Sequence, residues 1–132
     1  MAKILVADDD PDMLFLIELA LTTAGHQVIV ASNGDEALVQ ARRGDVDLLV
    51  LDVQMPQLSG LDVTRLVRGD PKLGAVPIVV LTADASEQGR ASGYGAGADE
   101  YVVKPFVLAD LRARVDALLA PPSVLVLATV AS

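Results

Sequence analysis

The chain has 132 residues, a net charge of −8, no cysteine, 52% hydrophobic and 21% charged residues. That length is one domain's worth, its apolar content argues against disorder, and the lack of cysteine excludes disulfide scaffolds, thiolate metal sites and cysteine nucleophiles. The acidity disfavours direct nucleic-acid binding and suits cations or basic partner surfaces. The N-terminus turns acidic too soon for a signal peptide, and no stretch reaches the roughly 18 apolar residues of a membrane span. A cytoplasmic protein without membrane contact is the expectation.

The run Ile4-Leu5-Val6-Ala7 is short and continuously apolar, the pattern of a strand buried on both faces. Asp8, Asp9 and Asp10 end it, and Asp10-Pro11 reads as an N-cap with proline at the first helical position. A helix is predicted over 11–23, with Leu14, Ile17 and Leu21 inward and Ala24-Gly25 as its stop. A second strand covers 28–31. Asn33 with Glu36 has the capping-box spacing, ahead of a short helix over 36–43 that Gly44 ends. The third strand, 46–51, is the most apolar and runs straight into Asp52. A loop over 53–60 leads to a helix over 60–68, broken at Gly69-Asp70-Pro71.

The fourth strand covers 76–81, with Pro77 at its start because proline is not tolerated within a central ladder. Ser86 opens a helix reaching about Tyr94 that holds Gly89, Gly93 and nearby Gly95. Each helical glycine costs about 0.5–1 kcal/mol against alanine, which predicts a short or mobile helix. A fifth strand over 98–103 and an amphipathic helix over 107–119 complete the pattern, closed by Pro121-Pro122. Five strands alternating with five helices predict an α/β fold, a flavodoxin-like doubly wound parallel sheet of order 2-1-3-4-5. The domain is expected over 1–120. Residues 121–132 end in an uncharged run rich in β-formers, read as an apolar tail or linker stub.

Ligands of an open parallel sheet bind beyond the carboxyl ends of its strands. Those ends hold Asp8 and Asp9, Asp52, Thr82, and Lys104-Pro105, with the first and third strands adjacent in the expected order. Carboxylates gathered there repel, by on the order of 4 kcal/mol per pair at 4 Å and an effective dielectric of 20. Proton uptake, a bound cation or a nearby lysine relieves this. Oxygen ligands of this kind suit magnesium. A carboxylate flanked by a divalent ion, a lysine and a hydroxyl is equipped to accept a phosphoryl group.

These residues carry a resemblance. The chain resembles the receiver domains of two-component response regulators, chemotaxis regulators among them, over about residues 2–120. The matching pieces run from Ile4 to Pro11, from Leu49 to Pro56 with Ser59-Gly60 behind, from Pro77 to Ala83, and from Gly97 to Phe106. The resemblance implies that Asp52 is the phosphoacceptor. It implies that Asp9 ligates the metal directly, Asp8 mainly through water, and Gln54 through its backbone carbonyl. Magnesium is the implied cofactor, with manganese as a substitute. Thr82 and Lys104 would each bind a phosphoryl oxygen, Ala83 would leave room for movement, and a cis bond to Pro105 would aim the lysine inward. Tyr101 takes the aromatic switch position, its ring turning inward as Thr82 moves toward the phosphoryl group.

The resemblance further implies a histidine kinase or phosphotransfer protein as donor and a downstream effector. The readout surface would be the 86–94 helix, the fifth strand and the last helix, with room for a phosphorylation-dependent homodimer. Catalysis would be confined to the domain's own phosphoryl transfer and dephosphorylation.

Other readings fit less well. Asp8, Asp10 and Asp12 have the opening spacing of a calcium loop, but Met13 and Leu19 stand where glycine and glutamate are needed. Gly93, Gly95 and Gly97 precede a strand, the wrong context for a nucleotide loop. An aspartyl phosphatase needs its nucleophile after the first strand with a hydroxyl residue close behind, which Pro11-Asp12-Met13 lacks. A flavin-phosphate loop there would be rich in Ser, Thr and Gly, not acidic. An unphosphorylated scaffold would not require the intact site. His26, the only histidine, reads as a surface turn residue far from the acidic pocket, so the donor acts in trans.

Overall fold

The computed structural model describes residues 2–120; Met1 and the proposed tail or linker stub at 121–132 lie outside the described residues. Ten elements alternate: β1 (Lys3–Ala7), α1 (Pro11–Thr23), β2 (Gln27–Ala31), α2 (Gly34–Arg42), β3 (Leu48–Asp52), α3 (Gly60–Arg68), β4 (Ile78–Thr82), α4 (Glu87–Ala96), β5 (Glu100–Val103) and α5 (Leu108–Leu119). The strands form one parallel sheet of order β2-β1-β3-β4-β5, the flavodoxin-like doubly wound arrangement. Among the described residues, no helix is long and apolar enough to cross a membrane.

Strand alternation divides the core between the two faces of the sheet. Leu5, Leu49, Leu51, Ile78 and Val80 pack with Ala37 and Ala41 of α2 and Val63 and Val67 of α3. Ile4, Val6, Leu48, Val50, Val79 and Leu81 pack with Ile17 and Leu21 of α1 and Leu111 and Val115 of α5. Every residue of β3 and β4 is buried, which explains their unbroken apolar sequence. Each fully buried Leu, Ile or Val contributes about 1.5–3 kcal/mol.

The caps follow local chemistry. Asp10 accepts from the backbone of Asp12 and Met13 at the start of α1. Asn33 accepts from Glu36 N at 2.8 Å, but the Glu36 carboxylate bonds Ser32 instead of returning to Asn33 N. Only half of the expected capping box therefore forms, and α2 starts two residues earlier than expected, at Gly34. The complete reciprocal box is at α3, between Ser59 and Asp62.

β3, β4 and β5 begin two residues later than their apolar runs. Val46 and Val76 pack against the core ahead of the ladders, and Pro77 enters only through its carbonyl, which accepts from Leu49 N at 2.9 Å.

One boundary moves and one expectation is corrected. α4 runs ten residues, ending two residues beyond Tyr94, capped by Ser86 at its start and by Gly97, at φ +113°, at its end. Gly93 and Ala96 are buried in the contact with the sheet, which offsets the low propensity of its glycines. His26 is not a surface turn residue: its side chain is 12% exposed. Nδ1 accepts from Ala2 N at 3.4 Å, and Nε2 lies 3.0 Å from Asp116 Oδ1 of α5. This contact ties α5 to the N-terminal end of the sheet, opposite the strand ends that carry the acidic residues.

Candidate phosphoacceptor and metal site

β1 and β3 are neighbours, with Ala7 paired to Leu51, so the next residues, Asp8 and Asp52, emerge side by side. β4 contributes Thr82 at its last position, and the turn after β5 contributes Lys104. One oxygen each from Asp8, Asp9 and Asp52 can lie within 4.8 Å of the others. Asp8 and Asp52 are buried, at 1% and 4% exposure, while Asp9 sits at the rim. Lys104 Nζ is 3.1 Å from Asp52 Oδ1 and 3.3 Å from Asp8 Oδ2. Asp8 Oδ1 accepts from Asp10 N at 2.9 Å, and the Lys104–Pro105 peptide is cis. Asp8, Asp9, Asp52 and Lys104 are thus brought together from three separate strand ends.

Burial and then the neighbouring Asp8 charge push the Asp52 carboxyl up to about 6, against the opposing pull of Lys104 and of the Gln54 backbone N–H. Burial draws the Lys104 ammonium down, but its bond to Asp52 and the charges of Asp52 and Asp8 outweigh this and hold it above its usual value. Three carboxylates therefore face one ammonium. Their oxygen-only donor set and uncompensated negative charge fit a hard divalent cation.

The site is closed from behind by Gly60. Its N–H donates to Val53 O at 3.0 Å, and a Cβ there would lie 2.3 Å from Asp52 O. Only glycine lets α3 start directly beneath Asp52. Gln54 and Ala83 are exposed on the adjoining loops.

Thr82 and Tyr101 lie toward α4. Thr82 is 1% exposed and its hydroxyl oxygen accepts from Asp84 N at 3.1 Å. Tyr101 points inward at 4% exposure and donates its hydroxyl to Asp84 O at 2.6 Å. Burial pushes its phenol up, more than the nearby Thr82 hydroxyl lowers it. Gln54, Thr82, Asp84, Gly89 and Tyr101 line a groove of about 320 Å³ beside the acidic pocket.

Asp84 and Arg90 escaped the sequence reading. Asp84 acts through its carbonyl, which leaves no side-chain signature. Arg90, whose guanidinium stands 5.1 Å from the Tyr101 ring centroid, would have needed the packing of α4 on β5 to be known.

The family model of the response regulator receiver domain matches residues 4–116. The chain belongs to this family, the phosphorylation-activated switches of two-component signalling. It is 46% identical over 117 residues to the transcriptional regulatory protein PrrA of Mycobacterium tuberculosis, covering 89% of this chain and 49% of PrrA. The chain therefore spans about half the length of such curated relatives.

Its fold is similar to that of a putative response regulator from Chloroflexus aurantiacus, with 36% identity and a TM-score of 0.86 over 91% of this chain and 98% of that one. It is also similar to the receiver domain of the sensor histidine kinase PA1611 of Pseudomonas aeruginosa, with 31% identity and a TM-score of 0.83 over 89% and 97% of the two chains. That domain carries a magnesium ion coordinated in its active-site cleft. Receiver domains bind a divalent metal at an acidic cluster of this kind and take their phosphoryl group from histidine kinases.

Proposed function

We propose that Asp52 is the phosphoacceptor of a receiver domain over residues 1–120, working in the cytoplasm. The observation that carries this reading is a buried carboxylate 3.1 Å from the Lys104 ammonium and clustered with Asp8 and Asp9. An Asp52 oxygen attacks the phosphorus of a phosphohistidine. The O–P bond forms as the N–P bond breaks, and the imidazole leaves with the electron pair. Lys104 holds one phosphoryl oxygen and the Thr82 hydroxyl donates to another. Asp9, Asp8, Asp52 and the Gln54 carbonyl would hold magnesium, or manganese in its place. When bound, the ion supplies positive charge against the phosphoryl oxygens. Later attack by water on phosphorus returns the Asp52 carboxylate and releases phosphate.

The phosphoryl group adds negative charge and acceptor oxygens next to Thr82. Drawing Thr82 toward it vacates space beside the Tyr101 ring and favours the inward position, in which the ring donates to the Asp84 carbonyl. Small, exposed Ala83 leaves room for that motion, and Pro105 fixes the turn that carries Lys104. The changed surface is α4, β5 and α5, read by an effector or by a second copy of the chain. The donor is a histidine kinase or phosphotransfer protein. Acetyl phosphate or beryllofluoride with magnesium should modify the wild type and not Asp52→Asn. Equal modification of both, measured by intact mass or ¹⁹F NMR, would remove Asp52 from this role.

A further inference from the structure

The glycines of α4 differ in what they face. A Cβ on Gly93 would lie 2.5 Å from Tyr101 Cδ1 and 2.9 Å from Cε1, and the next atom, at 3.7 Å, belongs to the same ring. A Cβ on Gly89 would lie 2.8 Å from the Tyr101 hydroxyl oxygen and 2.3 Å from Asp84 Oδ2. Positions four apart stack on one helix face, so both glycines face the same side chain. Gly95 has nothing within 4 Å of its would-be Cβ. The ring that fills this concavity also donates to Asp84 O, 2.6 Å away, and has the Arg90 guanidinium 5.1 Å from its centroid.

We propose that Gly89 and Gly93 form a seat in α4 that selects the inward position of Tyr101, with Arg90 holding the seated ring. This deepens, and rests on, the reading of Tyr101 as the switch residue. Gly93 is a positioning residue: it touches neither the phosphoryl site nor Lys104, and acts by leaving volume that only the inward ring fills. A methyl group at position 93 competes with the ring for that volume. The ring then turns toward solvent, or α4 lifts from β5. Either change reshapes the α4–β5 surface while leaving the acidic pocket intact. Coupling between two sites is reciprocal, so displacing the ring also weakens ligands of the phosphoryl site.

A thermal cycle on the full chain tests the seat: wild type, Gly93→Ala, Tyr101→Ala and the double variant, with Gly95→Ala in each background as the control. Gly93→Ala lowers Tm while Tyr101 is present and raises it in the Tyr101→Ala background, where only the gain in helix propensity remains. Gly95→Ala raises Tm in both backgrounds. A Gly93→Ala effect of the same sign and size with and without Tyr101 overturns the seat. Should Tyr101→Ala fail to fold, spectra of ¹³C-labelled tyrosine decide, since the chain has only two tyrosines. Gly93→Ala must then move the Tyr101 ring signals and Gly95→Ala must not; unmoved signals in Gly93→Ala reject the seat.

Beryllofluoride titration with magnesium separates the two readings. The seat acting on the switch weakens binding by about fivefold or more in Gly93→Ala. A displaced ring with unchanged binding keeps the seat and rejects Tyr101 as the switch.

Discussion

Asp52 is 4% exposed, and its carboxyl is raised from 3.8 to about 6. Between those values the native chain holds a proton that the unfolded chain has lost. Stability therefore falls as pH rises through that window, and the full cost is present above it. In EDTA, Asp52→Asn should raise stability at pH 7.5 by about 1–3 kcal/mol, because it removes a charge that burial and Asp8 disfavour. The gain should shrink as pH drops from 6 toward 4. Denaturant melts at several pH values check this, and a gain that grows on acidification would contradict the buried-charge account. Gly60 presents a different constraint, since its would-be Cβ meets backbone rather than a movable side chain. Gly60→Ala should cost about 1–3 kcal/mol and slow modification of Asp52. Gly69→Ala, whose nearest neighbour would be Arg65 O at 3.5 Å, should stay within about 0.5 kcal/mol. Similar losses in both variants would show that proximity to Asp52 is not the cause.

Elements differ in how much of their geometry the chain discloses locally. The strand order and the meeting of Asp8, Asp9, Asp52 and Lys104 at one rim were readable because a doubly wound sheet places every strand end on the same edge. Strand starts were not readable: apolar character continues through Val46 and Val76, whereas the ladders depend on partners far along the chain. What Gly89 and Gly93 face was not readable either, because their neighbour, Tyr101, belongs to another element. His26 and Asp116 lie 90 residues apart, and no local signal links them. Arg68, in the last turn of α3, was equally silent. Its guanidinium donates to Gly97 O at 2.8 Å, Val76 O at 2.6 Å, Gly74 O at 3.1 Å and Asp99 Oδ2 at 2.8 Å. It thereby joins α3, the approach to β4 and the α4–β5 turn. Arg68→Met should lower stability by about 1–3 kcal/mol by leaving carbonyls without partners. Arg68→Lys should recover little of it, since an ammonium cannot span this fork. Full recovery by lysine in a urea titration would mean that charge alone mattered.

At the scale of the whole molecule, two sources of negative charge must be separated. The chain carries −8 overall, which any salt screens. The pocket concentrates three carboxylates within 4.8 Å, partly out of solvent, where screening is weak. A cation that occupies the pocket stabilises by mass action, by about 2.7 kcal/mol at one hundred times its dissociation constant. That corresponds to a Tm increase of several degrees for a domain of this size. Sodium chloride matched in ionic strength acts only on the diffuse component. Magnesium should therefore raise the wild-type Tm well beyond sodium chloride, and the excess should saturate with concentration. Asp9→Asn should lose most of that excess while keeping the sodium chloride response, because Asp9 is a rim residue that the core does not need. Asp52→Asn should lose it too, from a higher starting Tm in EDTA. Equal effects of the two salts in the wild type would mean that the acidic cluster is an ordinary charged surface and not a metal site.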